Sequence, residues 1–521
     1  MKKTKKILME FLNLQEGELI PYAGEEIFKL NRKGTHFTEN QKRKIILISS
    51  ISPTPYGEGK TTTAIALTDA LNQNGSSAIL SIREPSQGPY FGLKGGAIGG
   101  GAAKVEPAFD INLHFTGDFS ALNQCINLIA AYIDAHIFEN SDLQISEIIF
   151  PRAIDINDRN LRVIETKLGQ REFVLTAAHP LMTIITLAKN QDDLIEKINE
   201  LIIAFTNDRK PVYIADLKIT NYIQEILSNV LKPNLVLTSN KSPAFIHMGP
   251  FANVSVGTSS IKSLEEACEL GDNIITEAGF GADLGLRKFK TLVEPNLRNN
   301  VKLVVIVITL KAILHQSSNL DESMSNIEKI LYGLENVKRH LEIVKECEYE
   351  YVISLNKYAE DDDESLQVLT DYFAKVNVPF YITNCYDQGY KGALCLANYI
   401  KNLTEQPISI QKMLTDYSKL SILEKLKYEV ITFYKGDDIT LTKKAQLDLD
   451  KIYSLGYEFA NVCIAKTQYS FTDNKEVLGV PKNFKITFSR FQLISSLNLV
   501  ICYTKGIITL PGLPKNKIMK A

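Results

Sequence analysis

The chain has 521 residues, more than one hydrophobic core supports, since single cores stop growing at roughly 250–300 residues; three domains are expected. With 45% hydrophobic and 23% charged residues, the composition excludes an intrinsically disordered chain. A net charge of −2 excludes a global attraction to nucleic acid or to membrane surfaces, so an anionic ligand has to be met by a local positive pocket.

The opening "MKKTKKILMEFLNL" is basic, but Glu10 interrupts its apolar stretch, and it does not read as a signal peptide. The first strong strand signal is "IILISSI", Ile45 to Ile51. It runs into "SPTPYGEGKTTT", and a helix is predicted over the following "AIALTDALNQNG". Glycines between a strand and a helix, followed by a lysine and hydroxyls, are what a phosphate loop needs. Gly57 and Gly59 let the backbone close around phosphate oxygens, and amide N–H groups at the helix start point at the anion. Lys60 adds a point charge, and Thr61 and Thr62 follow it, with the Thr61 hydroxyl available to magnesium. The strict pattern G-x-x-x-x-G-K-[ST] wants glycine at position 54, where this chain has Thr54. Pro55 stands where partition and electron-transfer ATPases carry a second lysine, which counts against that class.

The next strand, "SAILSI" (Ser77 to Ile82), ends at Arg83, and open α/β sheets place their ligands at the carboxyl ends of strands. Lys94, His114 and Asp118 follow closely, around a "GGAIGGG" tract that in isolation would read as a linker. Further short apolar runs are "PVYIAD" (Pro211 to Asp216), "NLVLT" (Asn234 to Thr238), "LVVIVITL" (Leu303 to Leu310), "YVISLN" (Tyr351 to Asn356) and "PFYITN" (Pro379 to Asn384). Runs of this kind suit strands buried on both faces. Amphipathic stretches such as "SNIEKILYGLENVKRHLEIVKEC" alternate with them, which predicts an α/β fold: a doubly wound, mainly parallel sheet of the P-loop NTPase type, with two smaller α+β domains. The nucleotide-binding core is expected over residues 1–150 and 233–402. An inserted domain is expected over 151–232, and a C-terminal domain and tail over 403–521, where a "KKAQLDLDKIYSLGY" helix precedes a more irregular segment. The acidic run "EDDDES", Glu360 to Ser365, reads as a solvated helix start. Seven scattered cysteines without a C-x-x-C pair argue against a zinc site and for reduced thiols in the cytoplasm. The longest apolar run, Leu303 to Leu310, falls far short of the roughly 18 residues of a membrane span.

Read together, "TPYGEGKTTT", "REPSQGP", "GLKGGAIGGG", "DINLHFTGDF", "DINDR", "PAFIHMGPFAN", "TEAGFGADLG", "AKTQYS" and "PGLPK" occur in order from about residue 45 to 515, and in this the chain resembles the formate–tetrahydrofolate ligase family. The resemblance implies a cytoplasmic, ATP-dependent ligase of one-carbon metabolism, commonly a homotetramer, with no nucleic-acid or membrane partner. Formate and tetrahydrofolate would be joined to give 10-formyltetrahydrofolate, ADP and phosphate by way of formyl phosphate. ATP and Mg2+ are implied, with tetrahydrofolate as co-substrate; a monovalent cation is left open. Gly57, Gly59, Lys60, Thr61 and Thr62 would hold the nucleotide, with Thr61 on the metal and Lys60 neutralising charge during transfer. Arg83 would hold formyl phosphate, for which a planar guanidinium is suited. Tyr358 in "LNKYAED" and Tyr386 in "TNCYDQGYKG" fall where the family places aromatics around the pterin, although the family's tryptophan is missing from a chain with none.

The chain also departs from the family pattern. His179 and Pro180 replace a Ser-Glu pair, and "SVGTSS" and "ISSLNLV" differ from segments associated with the nucleotide base. These changes keep open a diverged paralogue that binds nucleotide or folate in a regulatory role; a P-loop ligase for another small carboxylate is a further alternative. His247, Phe251, Glu277, Asp283 and the "AKTQYS" segment receive no catalytic role.

Overall fold

A computed structural model of the protein describes residues 3–32, 43–54, 57–86, 98–155, 158, 160–320, 323–403, 416–505 and 507. Lys94, Pro55, the "PGLPK" segment and parts of "GLKGGAIGGG" and "DINDR" lie outside the described residues.

Twelve strands build the main sheet, numbered here in chain order: β1 Leu19–Ala23, β2 Ile27–Leu30, β3 Arg43–Ser50, β4 Ala78–Ile82, β5 Gly99–Gly100, β6 Ala103–Glu106, β7 Asn234–Thr238, β8 Pro243–Ile246, β9 Asn273–Glu277, β10 Asn300–Ile308, β11 Tyr351–Asn356 and β12 Phe380–Thr383. Their order is β1-β2-β7-β8-β4-β9-β3-β10-β11-β12, with the β5–β6 hairpin attached to β7. Every pairing from β8 to β12 along this order is parallel. The expected α/β, mainly parallel sheet is present.

Strand alternation explains why both faces are covered. In β3, Ile46 and Ile48 enter one hydrophobic core, while Ile45 and Leu47 enter the other. The same division separates Leu303, Val305 and Val307 of β10 from Val304, Ile306 and Ile308. Helices Lys60–Gln73 and Leu394–Lys401 pack on the first face, and Asp118–Phe138, Ile261–Leu270 and Asn326–Glu346 on the second. From β3 the chain crosses through Lys60–Gln73 to β4 on one side, whereas β10, β11 and β12 lie on the other. The winding direction therefore reverses at β3, which puts the carboxyl ends of β9, β3 and β10 at a switch point, where open α/β sheets bind their ligands.

Three sequence expectations need correction. "PVYIAD" contributes only Pro211–Tyr213, and this strand belongs to a separate antiparallel sheet with Ile202–Thr206 and Ile145–Ile148. "NLVLT" does join the main sheet, but β7 is antiparallel to β2, β8 and β6; a buried apolar run does not encode strand direction. The segment after Lys443–Ser454 is not an irregular tail. Asn461–Ala465, Lys485–Ile494 and Leu499–Thr504 form a four-stranded sheet with Asp438–Leu441. The acidic run behaves as expected: Asp362 caps the helix Asp363–Lys375 by accepting the Ser365 N–H.

Helix Asn326–Glu346 begins in a capping box of Ser325 and Glu328 and packs closely on Leu310–His315, the helix that follows β10. Gly333 makes the approach possible, because a Cβ there would collide with the Ile313 carbonyl oxygen. Gly333→Ala is expected to cost about 1–3 kcal/mol through overpacking and to lower the thermal unfolding midpoint. An unchanged midpoint in a calorimetric scan would show that the helices part without penalty.

Candidate active site

The loop after β3 is shaped by two left-handed residues, Gly57 at φ 85° and Gly59 at φ 77°. A Cβ on Gly59 would lie 2.5 Å from Asn356 Nδ2, so both conformation and space require glycine there. Thr54 is not among the positive-φ residues, which explains why the chain does without glycine at the position the strict pattern reserves for it. The loop is clamped from within by Glu58, which is buried. Its Oε1 accepts the Thr54 N–H at 2.6 Å, and its Oε2 accepts the Thr309 hydroxyl at 2.5 Å. Asn356 Nδ2 donates to the Glu58 carbonyl at 3.3 Å, tying in the end of β11.

Lys60 is the first residue of helix Lys60–Gln73, with Thr61 and Thr62 half-buried behind it in the first turn. Lys60 Nζ donates to Ser50 Oγ at 3.1 Å, and that hydroxyl lies 3.0 Å from both the Phe280 and the Ile51 carbonyl oxygens, which share its one proton. Phe280 has φ 65°, a conformation that bulky residues rarely adopt. The residue before it, Gly279, lies against the Arg83 guanidinium: a Cβ there would sit 3.2 Å from Nη2. One dipeptide thus touches the supports of both cations, Lys60 and Arg83.

Arg83 follows β4, is half-buried, and donates from Nη1 to the Pro250 carbonyl at 3.4 Å. Burial pulls its pKa below the ordinary arginine value, and the Glu277 carboxylate opposes that shift. Glu277 ends β9, and its Oε1 has no hydrogen-bond partner among the described residues. Glu84 points elsewhere. It accepts the Thr116 hydroxyl, and burial together with the Asp118 charge pushes its carboxyl up to about 8. Asp118 is itself held by Lys29 at 2.6 Å and Asn234 at 2.7 Å, all three buried. His114 pairs through Nε2 with the Pro85 carbonyl oxygen at 2.8 Å and stacks on Phe119 at 4.2 Å. Besides Phe280, His114 (φ 60°) and Met248 (φ 50°) adopt left-handed conformations here, and Met248 accepts the Glu84 N–H at 2.8 Å. Backbone strain gathers at functional sites because only a surrounding that over-determines it can retain it.

Tyr358 and Tyr386 stand beyond the carboxyl ends of the adjacent strands β11 and β12. The Tyr358 hydroxyl donates to the Gly57 carbonyl at 3.4 Å, and Lys311 Nζ lies 4.4 Å from the ring centroid. Burial, then the Glu58 charge, pushes the Tyr358 phenol up to about 12. Tyr386 is 56% exposed, and its carbonyl accepts the Ala102 N–H at 2.7 Å. Its ring lies 3.0 Å from where a Gly100 Cβ would be. The described end of the glycine tract is therefore a hairpin strand packed on Tyr386, and glycine is what allows the approach.

The departures from the family pattern have internal uses. His179 caps helix Pro180–Leu187, with Nδ1 accepting the Leu181 N–H at 3.1 Å, and Pro180 takes the first helical position. Burial holds the His179 ring down at about 3, uncharged. In "SVGTSS", Thr258 pairs with Thr276 at 2.9 Å and Ser260 caps Ile261–Leu270. In "ISSLNLV", the Ser495 hydroxyl accepts the Ile202 N–H at 2.9 Å and donates to the Glu200 carbonyl at 2.9 Å. His247 is also internal, between Ser260 at 2.5 Å and the Val230 carbonyl at 2.7 Å. The unassigned Asp283 and "AKTQYS" meet in a fully buried ion pair, Lys466 to Asp283 at 2.9 Å.

Among the described residues, no group of three or more His, Cys, Asp or Glu side chains is placed to hold a metal ion, and no helix is long and apolar enough to cross a membrane. The family model described as formate–tetrahydrofolate ligase matches residues 1–521, the whole chain.

The clamp at Glu58 gives a direct expectation. Glu58→Ala leaves the buried Thr54 N–H and Thr309 hydroxyl without their acceptor, at about 1–3 kcal/mol for each unsatisfied group. Nucleotide affinity, measured by titration calorimetry on folded protein, should fall by about 10-fold or more. Unchanged affinity would mean that the loop keeps its shape without the clamp.

Proposed function

We propose that this chain, which belongs to the formate–tetrahydrofolate ligase family, carries out both steps of its reaction in the crevice at the carboxyl ends of β4, β9, β3 and β10. The reaction is the ATP-dependent ligation of formate to tetrahydrofolate. In the first step a formate oxygen attacks the γ-phosphorus and ADP leaves, giving formyl phosphate. In the second, the N10 lone pair of tetrahydrofolate attacks the formyl carbon, the carbon–phosphate oxygen bond breaks, and the N10 proton departs with phosphate.

Formate is a poor electrophile until its oxygen becomes a good leaving group, so charge on the transferred phosphoryl has to be neutralised first. Lys60 suits this role: it stands at a helix N-terminus, next to two left-handed glycines, with its ammonium steered by Ser50. Gly57, Gly59, Thr61 and Thr62 complete the phosphate site. Magnesium is commonly bound through substrate phosphates and few protein groups. A site with the Thr61 hydroxyl on the first helical turn and no three-ligand acidic cage among the described residues fits an ion that arrives with the nucleotide. Bound there, it would add charge neutralisation on the phosphates.

Arg83 is our choice for formyl phosphate. Its hydrogen bond to Pro250 engages Nη1, which leaves further N–H groups of the fork for a dianionic ligand. Tyr358 and Tyr386, on neighbouring strand ends, suit the two sides of a pterin, a flat ring that pockets hold by stacking. The single observation that carries this reading is the Gly279–Phe280 dipeptide, which lies against Arg83 and orients Ser50 toward Lys60. Further parts of the proposal are a P-loop type of core, division into 1–150 with 233–402, 151–232 and 403–521, a cytoplasmic location and a homotetramer. The sheets over 152–174 and 438–504 fall inside the proposed segments, whereas Ile145–Ile148 pairs with Ile202–Thr206 across the 150/151 boundary; the cysteines, all free thiols, fit a reducing compartment.

The test is 10-formyltetrahydrofolate formation from formate, tetrahydrofolate and magnesium-ATP, with acetate as the competing carboxylate; equal turnover of acetate would sink the assignment of formate. In this assay Lys60→Ala should lower kcat by roughly 100-fold to 1000-fold while the protein stays folded. Arg83→Ala should impair ligation more than nucleotide binding, and Arg83→Lys should rescue it poorly, because a point charge does not reproduce a planar fork. Loss of nucleotide binding in Arg83→Ala, with ligation normal at saturating ATP, would move Arg83 to the nucleotide.

A further inference from the structure

Behind the phosphate loop sits a histidine that the reaction above does not use. Helix Asn326–Glu346 carries Asn336 and His340 one turn apart, so both reach the loop's entry from the same face. The Ser52 N–H donates to His340 Nε2 at 2.8 Å, and the Ser52 hydroxyl lies 3.1 Å from the same nitrogen. Asn336 Nδ2 donates to that hydroxyl at 3.3 Å. A backbone N–H only donates, so Nε2 is the acceptor and the proton of the neutral ring belongs on Nδ1. Burial holds the ring neutral, with its pKa lowered to about 4.

Two buried polar atoms lie unpartnered on the other side of this contact. Among the described residues, neither His340 Nδ1 nor Asp283 Oδ1 has a hydrogen-bond partner. Both side chains converge on Gly281, where a Cβ would lie 2.7 Å from Asp283 Oδ1, 3.0 Å from His340 Cε1 and 3.1 Å from the Ile51 carbonyl oxygen. Glycine is needed for the three to meet. The second oxygen of Asp283 is taken by Lys466 at 2.9 Å, and Phe471, from the same C-terminal segment, packs against the His340 ring at 4.9 Å. Asp283 and Lys466 act on the imidazole in opposite directions, the carboxylate favouring its protonation and the ammonium opposing it.

We propose that His340 is a positioning residue for phosphoryl transfer: its Nε2 fixes the Ser52 amide and so the start of the loop that presents Lys60, with the ring packed against Phe471 beside the Asp283–Lys466 pair. This gives the "TEAGFGADLG" and "AKTQYS" segments a joint role, anchoring the nucleotide loop from two distant parts of the chain. The inference rests on reading residues 52–62 as the nucleotide loop.

Two substitutions separate the acceptor from the bulk of the ring. His340→Met keeps apolar volume and removes the acceptor, whereas His340→Gln can place its Oε1 near the position of Nε2. His340→Met should raise KM for magnesium-ATP about 10-fold, the equivalent of one lost buried hydrogen bond, with KM for tetrahydrofolate within about twofold. His340→Gln should return KM for magnesium-ATP to within about threefold of the parent, since it restores that hydrogen bond. An unchanged KM for magnesium-ATP in His340→Met overturns the proposal, as does an equal rise for both substrates that glutamine does not relieve. Should the methionine variant fail to fold, His340→Asn, whose shorter amide falls short of Ser52, takes its place against glutamine, and equal KM values overturn the proposal. Lys60→Ala is titrated alongside with magnesium-ATP. Unchanged nucleotide affinity together with unchanged kcat there sinks the loop reading itself, whereas a defective Lys60 variant beside unaffected His340 variants sinks the positioning role alone.

Discussion

The hydrogen bond from the Ser50 hydroxyl to the Phe280 carbonyl, 3.0 Å long, is the contact on which the candidate active site depends. It joins the ends of β3 and β9, and through Ser50 and Gly279 it relates Lys60 to Arg83. A neutral hydrogen bond contributes only about 0.5–1.5 kcal/mol net, and a residue such as Phe280 in the left-handed region costs about 1–3 kcal/mol. That one bond therefore cannot hold the conformation alone. The surrounding contacts have to over-determine it: the Gly279 N–H on the Gly257 carbonyl at 2.5 Å, the close approach of Gly285 to Gly279, and the parallel pairing of β9 with β3. The cations are placed by the sheet and by buried turns, and their own hydrogen bonds refine that placement.

How much of this was legible in the sequence depends on whether a residue's role is local. The left-handed turns at Gly57 and Gly59 and the helix start at Lys60 were readable because glycines between a strand and a helix signal them locally. At Thr54 the strict pattern is not met, and the backbone there is not left-handed, so no glycine is called for by φ. Glu58 was passed over inside the motif itself: its partners are a backbone N–H four residues back and a hydroxyl 251 residues away, and no spacing rule announces the second. His179 looked like a departure near the nucleotide base, yet it is a helix cap; only the proline after it, at the first helical position, is a local signal in "HPLM". The direction of β7 and the strands after Ser454 were missed because apolar runs report burial and leave pairing to tertiary contacts.

Buried charge shows what the sequence concealed most completely. Lys29 with Asp118, Arg287 with Glu429 and Lys466 with Asp283 are ion pairs in which every side chain is nearly or wholly buried. Their partners lie 89, 142 and 183 residues apart. Replacing a buried pair with apolar residues is often neutral or stabilising, whereas removing one partner is strongly destabilising. Such pairs are weak grounds for stability and better suited to fixing which segments meet. Here two of the three flank the proposed chemistry. Lys29 and Asp118 lie beside Glu84, the neighbour of Arg83, and Lys466 and Asp283 lie beside His340, the support of Ser52.

The same logic distinguishes the two tyrosines. Tyr386 is largely exposed; its carbonyl accepts the Ala102 N–H, and the edge of its ring packs on Gly100 of the β5–β6 hairpin. Tyr358 is half-buried, with its hydroxyl on the Gly57 carbonyl and one ring face toward Lys311. Tyr386 thus offers an exposed surface, and Tyr358 one already bound to the loop after β3. At 3.4 Å the Tyr358 bond is near the long limit for a hydrogen bond and weak, so the phenol can shift with the loop at little energetic cost. The Tyr358 phenol is thus a loose link between the end of β11 and the loop after β3.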